Sequence, residues 1–288
     1  MTDRSDSFNR AAGFVSLIGA GPGAPELITL RGLRALQQAD VVLFDALLEP
    51  GFQDLFPHQA DAIPVGKRCG GLGTPQSEIF ELLLAHAGRG KRVARLKGGD
   101  PLIFGRGGEE AQVLEAAGIP FELIPGVSAL QGAAAAAGIP LTHRGISREI
   151  RVLEGHHLLE PGTDWAGLAR SQATLALFMG TRTLKAVARK LLEHGAPEDL
   201  PLALVERASC PGQTITLSTL RLAAEGHLCP LTAGPGLVLL GAAAGARVHP
   251  IPSESTLTHV LAHVPPPPLC RSQAEALAAG GRRQRRAG

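Results

Sequence analysis

The sequence predicts an α/β protein of two domains with a ligand cleft between them, and three observations carry that expectation. First, short apolar runs alternate with helical stretches along the first half of the chain. Second, two glycine-rich loops each follow such a run, at the strand end where open α/β sheets place ligands. Third, a second cycle of runs begins after Arg144. Alternation of this kind implies mostly parallel sheets with helices on both faces.

The elements follow from periodicity and punctuation. Strands are expected at Val15–Ile18, Val41–Phe44, Ala62–Val65, Arg92–Leu96 and Phe121–Ile124. Between them, helices are expected at Leu30–Ala39, Pro75–Ala87, Glu109–Ala117 and Ala129–Ala137. Thr29 is a good N-cap for the first of these, Thr74 and Pro75 open the second, and Gly88, Gly118 and Gly138 follow helix ends. The alanine run Ala133 to Ala137 reads as a closely packed core helix. In the second cycle, strands are expected at Ile150–Leu153, Thr174–Phe178, Leu202–Val205, Gln213–Thr216 and Leu237–Leu240, with a helix at Leu184–His194. The resulting division is a disordered segment over 1–13, an N-terminal domain over 14–138, a C-terminal domain over 146–245 and a disordered basic tail over 265–288.

Composition excludes several classes. With 44% hydrophobic and 19% charged residues the balance is that of an ordinary globular chain. The polar start has no apolar core of a secretory signal, and runs such as Leu237 to Ala244 are too short and glycine-broken to span a bilayer. A cytoplasmic protein without membrane contact is expected. The tail carries Arg271, Arg282, Arg283, Arg285 and Arg286 against Glu275, a net of +4, so residues 1–270 sum to −2 of the total +2. The body therefore has no nucleic-acid footprint. Cys69, Cys210, Cys229 and Cys270 lack CxxC spacing, and the adjacent His156 and His157 point apart on a strand. No metal is expected.

The densest stretch runs from Arg95 through Lys97, Gly98, Gly99, Asp100, Pro101, Ile103 and Arg106 to Glu109 and Glu110. Five glycines in sixteen residues suit backbone moulded around a ligand. The other loop, Gly19-Ala20-Gly21-Pro22-Gly23-Ala24-Pro25, loosely meets the dinucleotide fingerprint, with Asp45 placed as the ribose acid. That fingerprint needs a helix starting inside the glycine run, and Pro22 and Pro25 disfavour one. Lys67, Arg68, Arg106, Arg144, Arg148 and Arg151 fall in or beside these and later loops and form a candidate anion-binding rim.

Together these stretches resemble the uroporphyrinogen-III C-methyltransferase family. The ordered pieces are Val15 to Glu26, Asp40 to Leu47, Gly66-Lys67-Arg68, Arg95 to Glu110, Pro125-Gly126-Val127-Ser128-Ala129, Gly138 to Arg144, Phe178-Met179-Gly180 and Val205-Glu206. The resemblance covers Phe14 to Gly241. It implies the two-domain tetrapyrrole (class III) methyltransferase fold, S-adenosylmethionine as methyl donor, a tetrapyrrole substrate and a homodimer. It implies that uroporphyrinogen III is methylated twice, at C2 and C7, to precorrin-2, for sirohaem, cobalamin or haem d1. Residues 1–13 are too short to hold the dehydrogenase/ferrochelatase domain of a multifunctional sirohaem synthase.

Position by position, the resemblance puts the donor on Pro22, Gly98, Gly99, Asp100, Ile103, Ser128, Ala129, Met179 and Ala208. It puts an acid/base pair on Asp45 and Lys67, and leaves Arg106, Glu109 and Arg144 as further candidates for deprotonating or anchoring the substrate. The departures from the family lie mostly on the substrate side. Phe44-Asp45-Ala46 replaces Tyr-Asp-Arg, Gly71-Leu72 replaces a histidine pair, Leu153-Glu154-Gly155-His156 replaces Val-Thr-Gly-His, and Arg207-Ala208 follows Val205-Glu206.

Overall fold

The computed structural model describes residues 13–46, 48–66, 73–232, 234–248 and 257–260. They fall into two compact units. The first runs through Gly132 and takes in Ala208–Cys210; the second covers Ala133–Arg207 and continues from Pro211.

In the first unit five strands form one parallel sheet: β1 (Phe14–Gly19), β2 (Val41–Asp45), β3 (Asp61–Val65), β4 (Arg92–Lys97) and β5 (Phe121–Ile124). Their spatial order is β3-β2-β4-β1-β5, so β4 lies between β2 and β1. Each strand is followed by helix or turn that returns the chain to the same edge, as parallel pairing requires. Four helices do most of this: α1 (Leu30–Leu36), α2 (Gln76–Gly88), α3 (Gly107–Ala116) and α4 (Ala129–Ala137).

Alternation along the strands separates two cores. Val15, Leu17, Val41, Leu43 and Val93 pack against Ile79 and Leu83 of α2 and Leu114 of α3. On the other face, Ile18, Val42, Ala94, Leu96 and Ile124 pack against Leu36 of α1 and against Phe52. Nearly all of these side chains have lost their water contact, which is the main favourable term holding the sheet.

Local signals explain the element ends. Thr29 accepts a hydrogen bond from Gly32 N at 3.0 Å and caps α1, so the helix starts well outside the glycine run of 19–23. The turns after α3 and α4 use Gly118 and Gly138 in the left-handed region. Gly88 is different: it is the last residue of α2, and the left-handed turn falls at Gly90.

The second unit carries β6 (Ile150–Glu154), β7 (Thr174–Phe178), β8 (Pro201–Glu206), β9 (Thr214–Thr219), β10 (Gly236–Leu240) and β11 (Leu257–Val260). Their order is β11-β9-β8-β10-β7-β6. This sheet is mixed, against the expectation of a mostly parallel one. The β8–β9, β8–β10 and β10–β7 pairs are antiparallel, and only β6–β7 and β9–β11 are parallel. The cause is the connection: β8 and β9 are joined by a loop without a crossover helix, which permits a hairpin and no parallel return. The sheet also takes in β11, past residue 245.

Helix α5 (Trp165–Ala169), α6 (Leu184–Glu193), α7 (Leu220–Glu225) and α8 (Ala242–Gly245) complete the second unit. Leu184, Val187, Ala188 and Leu191 give α6 one buried stripe against Leu202, Leu204 and Val238 of the sheet. Glu206, fully buried at the end of β8, accepts from Thr214 Oγ1, Leu231 N, Thr232 N and Thr232 Oγ1 at 2.9 to 3.1 Å. A buried carboxylate with that many donors is a satisfied anchor. Among the described residues no helix is long and apolar enough to cross a membrane.

Candidate functional site

The carboxyl edge of the parallel sheet gathers the two glycine-rich loops. Gly21 N donates to Gly99 O at 3.2 Å and Gly99 N returns a bond to Gly21 O at 2.7 Å, which ties the loops after β1 and β4 together. The loop after β5 closes on them. Gly19, Gly99 and Gly126 lie so close that a Cβ on Gly19 or Gly126 would strike backbone of the other two. Glycine is needed at these two positions because the backbones themselves touch.

Asp100 locks this arrangement. Its Oδ1 accepts from Leu102 N at 2.8 Å and its Oδ2 from Gly126 N at 3.1 Å, so one side chain joins the loops after β4 and β5. Ser128 is buried and its Oγ accepts from Leu130 N at 3.2 Å, at the start of α4. Ala129 N lies beside Gly99, which has a φ of 69°. Pro22 packs its ring on Gly132 of α4. Ala208 sits against Gly23, and the neighbouring Ser209 Oγ accepts from Ala24 N at 3.1 Å. Pro22, Gly98, Gly99, Asp100, Ile103, Ser128, Ala129 and Ala208 thus share one unit and one edge. Gly98 is the exposed member, and a Cβ placed on it would meet nothing within 4 Å.

After Asp100 the chain curls around the carbonyl of Pro101, which accepts from Gly107 N at 2.9 Å. To do so it holds Phe104 and Arg106 in the left-handed region, at φ of 52° and 59°. Each such residue costs about 1–3 kcal/mol, and strain of this kind clusters at ligand sites. Arg106 and Glu109 are exposed at the start of α3 and pair with each other, Nε to Oε1 at 2.8 Å and Nη2 to Oε2 at 2.6 Å. The hydrogen bond from Arg106 holds the Glu109 carboxyl below its ordinary value.

Asp45 ends β2 beside this loop. Its Oδ2 accepts from Gly98 N at 3.0 Å, and its Oδ1 meets Arg95 Nη2 at 2.6 Å. Lys67, expected as its partner, lies outside the described residues, as do Arg68, Gly71, Leu72, residues 1–12 and the tail. Met179 and Arg144 belong to the second unit. Met179 is exposed and left-handed, at φ 52°. Arg144 is exposed, and His143 Nδ1 lies 2.9 Å from its carbonyl oxygen.

Three residues of the densest stretch, to which the sequence reading gave no role of their own, lie beneath this edge. Arg95, Lys97 and Glu110 are all but fully buried. Glu110 Oε1 receives Lys97 Nζ at 2.7 Å, Arg95 Nε at 3.2 Å and Gln76 Nε2 at 3.2 Å. Burial pulls the Arg95 guanidinium down, but Asp45 and Glu110 outweigh it and leave it raised. Burial, helped by the Arg95 charge, lowers Lys97. The signal was present in the sequence: in Arg92-Val-Ala-Arg-Leu-Lys97, Arg95 and Lys97 stand two apart and so share one face of the strand, with Ala94 and Leu96 on the other. Cations so placed must meet buried anions. Among the described residues no cluster of His, Cys, Asp or Glu could hold a metal.

Comparison with known proteins places this architecture. The family model for tetrapyrrole (corrin/porphyrin) methylases matches residues 15–224. Siroheme synthase 1 of Yersinia enterocolitica is 47% identical over 235 residues, 81% of this chain and 49% of that protein. Siroheme synthase of Escherichia coli is 44% identical over 235 residues, 82% of this chain and 51% of that protein. The chain spans about half the length of these curated relatives. Among solved structures, uroporphyrin-III C-methyltransferase of Thermus thermophilus complexed with S-adenyl homocysteine superposes with a TM-score of 0.68 at 39% identity, over 80% of this chain and 98% of that one. On the strength of a match over most of its length, the chain belongs to the tetrapyrrole (corrin/porphyrin) methylase family.

Proposed function

We propose that this protein is an S-adenosylmethionine-dependent C-methyltransferase that methylates uroporphyrinogen III at C2 and C7, giving precorrin-2 through precorrin-1. The observation that carries the reading is the donor loop. Gly98 to Ile103 is held rigidly between the loops after β1 and β5, while the Gly98 face stays open. The Thermus relative, a uroporphyrin-III C-methyltransferase complexed with S-adenyl homocysteine, supports both the donor and the substrate. Siroheme synthases as relatives support a place in sirohaem formation, with cobalamin or haem d1 as other destinations of the same product.

The chemistry asks little of covalent catalysis. A pyrrole carbon of the reduced macrocycle attacks the sulfonium methyl; a C–C bond forms, the C–S bond breaks and S-adenosylhomocysteine leaves. The resulting cationic pyrroline then loses a proton to a base. The protein's part is to hold both reactants in line and keep water away. In this reading Pro22, Gly98, Gly99, Asp100, Ile103, Ser128, Ala129, Met179 and Ala208 hold the donor. Asp45 takes the proton with Lys67 as its acid partner; Arg106 and Arg144 bind carboxylates of the macrocycle, and Glu109, paired with Arg106, is the alternative base. The protein acts as a cytoplasmic homodimer.

A second reading rests on the substrate-side departures at Phe44, Ala46, Gly71, Leu72 and Glu154. It keeps the donor site and gives the enzyme another tetrapyrrole, or makes it a non-catalytic paralogue. Anaerobic incubation with uroporphyrinogen III and methyl-labelled S-adenosylmethionine separates the two. The first reading expects a product heavier by two methyl groups. Unchanged uroporphyrinogen III, with the donor bound, supports the second.

A further inference from the structure

We propose that Arg95 is a positioning residue for Asp45: it acts from beneath the sheet edge to fix the carboxylate that serves the reaction. The inference rests on the reading of Asp45 as the proton acceptor and adds how that group is held.

Arg95 is immobilised through all three of its nitrogens. Nη2 meets Asp45 Oδ1 at 2.6 Å, Nε meets Glu110 Oε1 at 3.2 Å, and Nη1 donates to the Leu96 carbonyl at 3.1 Å. Its side chain is only 3% exposed, whereas that of Asp45 is 26% exposed. The buried ion cluster is therefore open at one end. Glu110, wholly enclosed, anchors the inner end with Lys97 and Gln76 converging on the same oxygen. Asp45 forms the outer end, at the carboxyl edge of the sheet beside Gly98.

A purely structural role accounts for this less well. Glu110 and Lys97 already make a charge-balanced pair inside the unit. Arg95 adds a second buried cation, which is costly to desolvate unless it is paired. It shares the enclosed Glu110 with Lys97, and its shorter contact is with a carboxylate that reaches solvent. The result, among the described residues, is a carboxylate with one donor on each oxygen, Arg95 on Oδ1 and Gly98 N on Oδ2. That fixes its plane and leaves lone pairs of both oxygens for a further partner. The second of those bonds comes from the first residue of the donor loop, so the base and the donor loop share one fixed frame. A residue that acts by holding another in place contributes through orientation, which is worth orders of magnitude in rate.

The test is a double-mutant cycle on turnover of uroporphyrinogen III, with the donor affinity measured by calorimetry and the fold by thermal melting. Asp45→Asn, Arg95→Met and the double variant are compared. The proposal expects Arg95→Met to lower kcat by roughly 100-fold, as loss of a general base does, with KM and donor affinity changed only by about threefold or less. In the Asp45→Asn background the same substitution adds almost nothing, because the group it positions is gone. Losses that multiply, or a kcat kept in Arg95→Met, overturn the proposal while leaving Asp45 as the base. Full turnover in Asp45→Asn instead sinks the reading beneath it. If Arg95→Met does not fold, Arg95→Lys keeps the buried charge without the three-way reach and enters the same cycle. Failure of both variants to fold assigns Arg95 to the fold and overturns the proposal.

Discussion

At Gly126, a single hydrogen in place of a methyl group decides whether the loops after β1, β4 and β5 can meet. A Cβ there would press on Gly99 O and on Gly19 C and Cα, all backbone atoms with nowhere to go. Gly126→Ala is expected to destabilise the protein by about 3 kcal/mol or more, at the upper end of overpacking costs, read as a lowered denaturation midpoint. Lys97 makes a different prediction. Its pKa is lowered in the folded state from 10.5, first by burial and then by Arg95. The unfolded chain therefore binds more protons between the depressed value and 10.5, and stability rises with pH across that window. Measured against Lys97→Met, the wild type should gain stability as pH climbs through the window. A flat difference would show that Lys97 is not depressed. The sequence made Asp45, Gly98 and Asp100 legible, since loop chemistry is written in local residue types. It showed Arg95 and Lys97 two residues apart on one strand but hid their partners Asp45 and Glu110, because a buried ion pair is defined by groups that only the tertiary fold brings together.

Elements were most legible where punctuation is local. Thr29 is an N-cap in the structure as its position before Leu30 suggests, and the strand Phe121–Ile124 and helix Ala129–Ala137 have the bounds their patterns give. Thr29→Ala should cost about 1 kcal/mol, the usual loss for a cap, with no effect on donor binding. The mixed second sheet was not legible. Whether β9 (Thr214–Thr219) pairs parallel or antiparallel with β8 (Pro201–Glu206) depends on the loop between them, and the alternation of strands alone does not encode it. Within that loop and the turn at 231–232, Glu206 is the anchor. Glu206→Gln loses an acceptor for hydroxyl and backbone donors, and should lower stability by about 1–3 kcal/mol, measured by denaturant unfolding. Little change would mean that the four bonds are replaceable.

For the whole molecule, the fold supplies one rigid edge and the family supplies what stands on it. The parallel sheet brings five strand ends to a common edge, and three of the loops leaving it are bound to one another by Gly21, Gly99, Asp100 and Gly126. We place the methyl donor at this edge, on Gly98. The most direct measurement is calorimetric titration of S-adenosylhomocysteine into wild type and Gly98→Ala. Because a Cβ on Gly98 meets no protein atom within 4 Å, the variant should melt as the wild type does. Its donor affinity should nevertheless fall at least roughly tenfold, about 1.4 kcal/mol. Equal affinity in a folded Gly98→Ala protein would place the donor elsewhere.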